Sequence, residues 1–583
     1  MKGLLITIGN FDFRNENIKR LFSIYPWIKN RFFKIENCNI FCFFKNDFTG
    51  IFENNRFFIA LQGWFSIKNG LIYRTRELYF KNVHKLIRNI ETGMFNIILI
   101  DKFFKKFYLI NDRFGLLPLY YYVGEEGIII SSRIDAIRSI VDHSFTINLN
   151  GIKDLLTFGY IMGFDTLYNE IKLFPHASIL EINLDTNNMK ISRYWRPTFR
   201  YTWDRRLLIK KLYTSIQKAI NRFSYLSKKK MCFLSGGLDS RTIYALHDDF
   251  IDACTWGFKN SGERKFAKRV TEIDRKGKHL KLELNQKDAV DSFYESLKLT
   301  EGMRATCECI PAIAKNVKIN EYDLTYDGYL GDVLFGGSYF CRCRRDLKDI
   351  LLDISVGCNP IYSKIKDVDV VKSSIAKIPS YNHYKSIFPF NPSKHAQIRL
   401  EKLIKLSENE FPNIRCSADL IDLLQIFLAR GKKRIRLGTL QFNYFTNVLL
   451  PYFDYQVFDV YLQIPPQWRA WHKIYMNLYK KYLGTYGKIQ STTLYGLQPA
   501  TPNSIYRIWR YIHCGFNYLS NHGEGSGYLN LDEWLQEGTK YRSLLEEEKL
   551  FLSNYLKIDI DIDVPNELLI RMATIGAYLR LNL

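Results

Sequence analysis

The first third of the chain reads as strands. Residues 39–44 and 57–61 are rich in β-branched and aromatic side chains, and a further strand spans 127–131. The apolar runs 95–101 and 107–110 form a pair closed by a polar hairpin turn at 102–106. Residues 1–6 read as a first strand; their apolar run is too short for a signal peptide and lacks a small-residue cleavage site. Past about residue 205 the period changes. Leu208, Leu212, Ile216 and Ile220 share one face of a helix over 207–223. An apolar strand from Met231 to Leu234 then runs into a small-residue turn, after which Ile243, Leu246 and Phe250 take helical spacing. Residues 252–258 read as strand and turn, 263–273 as a basic helix and 280–284 as a strand. Strand, helix, strand, helix, strand predicts a parallel sheet with crossover helices, with ligands at the carboxyl ends of its strands beside a switch point. The tail, 505–583, reads as amphipathic helix broken by a loop at 523–527, and no chemistry attaches to it.

At 583 residues, 47% of them apolar, the chain has material for two or three domains. No run of about 18 uncharged apolar residues predicts a membrane span. Eleven cysteines include two Cys-x-Cys pairs, Cys307/Cys309 and Cys341/Cys343, but no set with zinc spacing. That pattern fits reduced thiols in a cytoplasmic protein. The formal charge of +24 has two readings: an acidic partner, whether nucleic acid, an anionic membrane surface or a polyanionic substrate, or a genomic bias, since Lys, Ile, Asn, Phe and Tyr are abundant throughout. No RNA- or DNA-binding motif accompanies it, so charge alone speaks for nucleic acid.

The chemistry centres on Leu234-Ser235-Gly236-Gly237-Leu238-Asp239-Ser240. Here a strand meets a helix N-terminus through two glycines, so bare N–H groups and the positive helix end face whatever sits above. Ser235 and Ser240 add hydroxyls, and Asp239 adds a carboxylate suited to Mg²⁺ beside a phosphate. Thr255 to Gly257 end the next strand at its carboxyl end, the side on which ligands bind in such sheets. A second glycine-rich turn, Asp327-Gly328-Tyr329-Leu330-Gly331-Asp332, follows the strand-like 323–325. Asp332 on this turn gives a second carboxylate on a loop separate from that of Asp239.

The first loop resembles the pyrophosphatase (PP-) loop of asparagine synthetases and their relatives, which cleave ATP to AMP and pyrophosphate. The second, read with Phe335-Gly336-Gly337, resembles that family's second signature. Asp112-Arg113-Phe114-Gly115 with Pro118-Leu119-Tyr120-Tyr121, and the run from Phe158-Gly159 to Pro175-His176, resemble the end of its glutaminase domain. Residues 434–466, with Pro451-Tyr452-Phe453-Asp454 and Pro465-Pro466, resemble its helical region. The resemblance implies an α/β fold with a glutamine amidotransferase-like N-terminal-nucleophile αββα sandwich over 1–195, and a PP-loop ATPase domain with a helical C-terminal part over 205–583. It implies ATP and Mg²⁺, with Ser235, Gly236, Gly237, Ser240, Leu234, Thr255, Gly257, Asp327 and Gly328 around the nucleotide and Asp239 and Asp332 on metal. Lys473 is the nearest match to a lysine that stabilises charge as the adenylate forms. Tyr329 stands where asparagine synthetases carry glutamate and β-lactam-forming relatives carry a tyrosine of their catalytic base.

The family's glutaminase needs a cysteine at residue 2; here Lys2 stands there and the first cysteine is Cys38. Gln62-Gly63-Trp64-Phe65-Ser66 is the nearest place to the family's Asn-Gly-Glu segment. The first domain is therefore expected to be a scaffold. The reaction expected is amide formation through an acyl-adenylate, from a small-molecule or peptide carboxylate and either ammonia or an amine. The alternatives are a lasso-peptide-type macrolactam cyclase with a precursor peptide and a partner protease, a nucleotide-binding protein without catalysis, and a tRNA-modifying PP-loop enzyme.

Overall fold

The structure, a computed structural model, describes residues 3–11, 15–45, 50–67, 83–141, 144–224, 227–342, 366–375, 390–414, 416–519, 529–557 and 564–582. Lys2, Cys343 and the 523–527 loop lie outside these. The chain divides into two compact units, residues 1–152 with 161–197, and residues 153–160 with 198–583.

The first unit holds two six-stranded antiparallel sheets. One has β1 (Gly3–Gly9), β2 (Lys29–Ile35), β3 (Cys38–Phe44), β8 (Tyr120–Gly124), β9 (Gly127–Ser131) and β10 (Lys172–Leu173), in the order β10-β8-β9-β1-β3-β2. The other has β4 (Gly50–Glu53), β5 (Phe57–Ile67), β6 (Ile90–Asp101), β7 (Lys106–Asn111), β11 (Ser178–Asn183) and β12 (Met189–Arg193), in the order β12-β11-β7-β6-β5-β4. Alternate side chains build the core between them. Leu4, Ile6 and Ile8 of β1 join one cluster with Phe58 and Ala60 of β5, Ile98 and Ile100 of β6 and Leu109 of β7. On β6 the opposite face, Phe95, Ile97 and Leu99, is buried as well, so this sheet is covered on its outer side. A half-exposed sheet would alternate with water; burial on both faces is what the αββα arrangement requires.

The second unit carries a five-stranded parallel sheet of β13 (Lys230–Phe233), β14 (Asp252–Trp256), β15 (His279–Leu282), β16 (Leu324–Tyr326) and β17 (Asn447–Leu449), in the order β15-β14-β13-β16-β17. The helix Arg205–Asn221 starts at Asp204, whose side chain accepts the Leu207 N–H. It buries Leu208, Leu212, Ile216 and Ile220 completely, each worth roughly 1.5–3 kcal/mol relative to exposure. One sequence expectation fails here. The helix after the Ser235 loop is Asp239–Leu246 and stops short of Phe250, which is 61% exposed. Polar pairs hold the chain in a turn instead: Asn221 Nδ2 donates to Asp248, and Lys230 pairs with Asp249. Helices fill the remainder, among them Pro392–Glu410, Ser417–Phe427, Asn503–Leu519, Lys540–Leu556 and Asn566–Asn582. A wide π-helical stretch, Gly431–Arg436, interrupts them.

Candidate functional site

From β13 the chain moves outward through β14 to β15; β16 and β17 add on β13's other side. β13 and β16 are thus the central neighbours at a switch point, and both glycine-rich turns leave their carboxyl ends. The first turn closes on itself. The Ser235 N–H donates to Ser240 Oγ at 2.9 Å, the Gly237 N–H donates to Ser235 Oγ at 3.1 Å, and the two serine hydroxyls lie 3.0 Å apart. The Gly236 N–H donates to Glu263, at the start of the helix Gly262–Asp274.

The turn is fastened from behind. Tyr479, on the helix Lys473–Tyr482, donates to the Leu238 carbonyl at 2.8 Å, and Tyr452 donates to the Asp239 carbonyl at 2.8 Å. Arg241 is buried and donates to the carbonyls of Gly236, Ile489 and Gln490. The Thr492 N–H reaches the Gly236 carbonyl at 3.1 Å. Residues 489–492 are thereby tied to the loop, through the Arg241 side chain and one backbone bond.

The second turn docks on the first. The Asp332 N–H donates to Asp239 Oδ2 at 2.8 Å. Glycine is needed for that approach: a Cβ on Gly331 would lie 2.6 Å from the Asp239 carboxyl carbon, and one on Gly328 would lie 2.9 Å from the Ser240 nitrogen. Leu330 between them holds φ 59°, a left-handed conformation that costs a branched residue roughly 1–2 kcal/mol. Asp239 Oδ1 is buried and meets no hydrogen-bond partner among the described residues. Burial, and then the neighbouring Asp332 charge, push the Asp239 carboxyl well above its ordinary range. An orphaned oxygen beside a second carboxylate is a seat that fits a divalent cation.

Both turns open on a cavity of about 500 Å³. Leu234, Ser235, Asp239, Ser240, Thr255, Asp327 and Gly328 line it. Thr255 donates to the Leu234 carbonyl at 2.6 Å and so joins the ends of β13 and β14. Burial pushes the Asp327 carboxyl up to about 6, opposed by Arg436 and by the Tyr329 N–H. Gly236, Gly237 and Asp332 belong to the turns but are not among the lining residues. Gly257 is not either; at φ 136° it ends β14, its N–H on the Leu282 carbonyl.

The two residues expected to be catalytic sit elsewhere. Tyr329 is buried, stacks on Phe453 at 5.0 Å and donates its hydroxyl to the Gly431 carbonyl at 2.8 Å. Burial drives its phenol well above the ordinary range, which does not suit a base. Lys473 opens the helix behind the loop and is not among the cavity's lining residues. The cations that do line the cavity escaped sequence reasoning: Arg304, Arg430 and Arg434, with Glu308 among them. Arg304 is 1% exposed, donates through Nε to the Ala305 carbonyl and pairs with Glu308. Burial would raise the Glu308 carboxyl, but Arg304 and then Arg434 hold it below its ordinary range. Arg434 also pairs with Glu567 at 3.5 Å. Arg430 is exposed, and its guanidinium makes no hydrogen bond or ion pair among the described residues. Arg304 reaches its place through a gap at Gly438, where a Cβ would lie 2.0 Å from Arg304 Nη1. The one visible signal was five basic residues in seven, from Arg430 to Arg436.

Comparison with known proteins covers both units. Residues 77–195 match a glutamine amidotransferase domain and residues 212–384 match asparagine synthase. A putative asparagine synthetase [glutamine-hydrolyzing] 2 of Methanocaldococcus jannaschii is 26% identical over 164 residues, 27% of this chain and 32% of that protein. Asparagine synthetase [glutamine-hydrolyzing] 2 of Bacillus subtilis is 28% identical over 166 residues, 26% of this chain and 22% of the relative. A probable asparagine synthetase [glutamine-hydrolyzing] of Acanthamoeba polyphaga mimivirus is 30% identical over 159 residues, 26% of each chain. The alignments thus span about a third or less of each of these relatives. An amidotransferase match followed by a synthase match, the latter taking in both glycine-rich turns at one switch point, makes this chain a member of the asparagine synthetase superfamily.

Proposed function

We propose that the chain is an ATP-dependent, AMP-forming amide ligase. Its reading is carried by one observation: the Asp239 carboxylate, with an orphaned oxygen, lies between a phosphate-type turn and a second carboxylate-bearing turn, at the mouth of a cavity whose other residues include three arginines. The turn at Ser235 would hold the pyrophosphate end of ATP through its amides and hydroxyls. Asp239 and Asp332 would hold Mg²⁺, which when bound offsets the charge of that pyrophosphate. Arg304, Arg430 and Arg434 would seat the substrate carboxylate and steady charge at the acyl adenylate. Attack of the carboxylate on the α-phosphate breaks the α–β phosphoanhydride and releases pyrophosphate. The amine or ammonia then takes the acyl carbon, and AMP leaves with the bonding pair. Asp327, whose carboxyl burial pushes up to about 6, would accept the proton that the nitrogen loses.

The first unit would be a scaffold without glutaminase activity. Its described cysteines, Cys38 and Cys42, lie in the inter-sheet core, and burial pushes Cys42 up to about 12 and Cys38 higher still. Pyrophosphate–ATP exchange over a panel of small and peptidyl carboxylates tests the ligase reading. Exchange with at least one small acid is expected, and ammonia release from glutamine at background. Exchange with no acid at all would leave a nucleotide-binding protein without catalysis, and exchange confined to a peptide would shift the reading to a macrocyclase.

The gap at Gly438 gives a separate expectation. Gly438→Ala forces Arg304 from its place and should raise KM for the acid about tenfold, a loss comparable to one charge-assisted hydrogen bond, with KM for ATP within about twofold. Steady-state kinetics with each substrate varied in turn read this, and equal rises in both KM values would place Arg304 outside the acid seat.

A further inference from the structure

The helix Asn503–Leu519 faces the wrong way for a surface helix. Its large apolar side chains at Ile505, Ile508, Trp509 and Ile512 are 52, 48, 40 and 47% exposed. They fall at the i, i+3, i+4, i+7 spacing of one helical stripe. Tyr506 is buried, and Arg510 stacks on the Trp471 ring at 4.3 Å and donates to the Tyr495 hydroxyl. Trp509 keeps its ring outside while its Nε1–H donates to the Tyr495 carbonyl at 3.1 Å. The helix packs inward through the Tyr506 and Tyr511 rings and Arg510 and leaves an apolar stripe that water does not favour; such stripes mark contact surfaces.

The occupant follows from charge and size. From Ile505 to Ile512 the stripe presents four apolar side chains over roughly 10 Å of helix, against the ~20–30 residues a side of a stable dimer. A second copy is therefore a poor fit. A lipid surface sets no minimum area, because binding grows with each inserted apolar side chain and with attraction between net charge and anionic headgroups. Tryptophan and isoleucine suit the headgroup boundary, and a chain of formal charge +24 supplies the attraction. No described helix is long and apolar enough to cross a membrane, so the contact would be peripheral. We infer that this stripe docks the protein on an anionic membrane surface, with Ile505, Ile508, Trp509 and Ile512 inserted at the headgroup boundary.

Co-sedimentation of the full chain with vesicles tests this. Vesicles of three parts phosphatidylcholine to one part phosphatidylglycerol should bind it at least tenfold better than pure phosphatidylcholine, and 0.5 M salt should release it. Ile508→Ser with Trp509→Ser should lose binding at least tenfold with the melting temperature kept. If that pair melts early, Ile512→Ser alone, at a half-exposed position, should still lose binding severalfold. A wild type that stays in the supernatant with anionic vesicles overturns the inference, as does a folded variant that binds equally. Light scattering showing a dimer that these substitutions dissociate would give the stripe to a second copy and remove the lipid.

Discussion

Asp239→Asn is expected to reduce pyrophosphate exchange about a hundred- to a thousandfold and, in the same protein, to raise the melting temperature. The loss follows from removing the one carboxylate that touches both turns and lines the cavity; single electrostatic groups at a reaction centre are worth about 10²–10³. The gain follows from burial. Asp239 is driven well above its ordinary range by desolvation and by Asp332, so at pH 7 the fold works against its ionisation. An amide of the same shape escapes that opposition; each kcal/mol recovered appears as roughly 2–4 °C in a domain of 150–250 residues and as less in this larger unit. Mg²⁺ with ATP should then raise the melting temperature of the wild type more than that of the variant. A variant that exchanges at the wild-type rate would remove Asp239 from the chemistry.

The largest expected effect on stability lies away from the cavity. Arg469 is fully buried, bonded to Asp419 and, at 2.5 Å, to Asp422, with Tyr461 and Tyr201 completing the cluster. Arg469→Met leaves two buried carboxylates without their cation, and about 3–5 kcal/mol of unfolding free energy should be lost in urea titration. Replacing both acids by asparagine in the same chain should restore most of it. The wild-type cluster holds two acids to one guanidinium, and burial first, then Asp419, push the Asp422 carboxyl up to about 8 against the pull of Arg469. A carboxyl raised in the fold binds its proton more tightly there than in the unfolded chain. Its contribution is therefore complete below about pH 4 and declines as pH rises to about 8, by at most about 1.4 kcal/mol per pH unit. Asp422→Asn should flatten this part of the stability profile; an unchanged slope between pH 4 and 8 would show that Asp422 ionises normally.

What the sequence made legible was whatever is local. The Ser235 and Asp327 turns are each one strand, a glycine step and a helix start, and their contacts run between near neighbours in the sheet. The strands of the first unit announce themselves in the same way, as apolar runs. The arginine wall was hidden because it is assembled from Arg304 and from Arg430 and Arg434 on a π-helical turn, a widened geometry that no residue spacing reports. Tyr329 shows the converse. It stands within the local motif, yet a carbonyl at Gly431, about a hundred residues on, takes its hydroxyl. Phe250 was assigned to a helix by spacing alone, where paired aspartates end the helix first.

The bond from the Gly236 amide to Glu263 changes what binding means at this loop. The cradle comes with its own anion. A phosphate oxygen that takes that amide evicts a carboxylate, so arrival of a nucleotide there is an exchange of one negative group for another rather than the filling of a bare positive site. Affinity measured at the loop is then a difference between two anions, and the displaced Glu263 is left free to face the cation that the nucleotide brings.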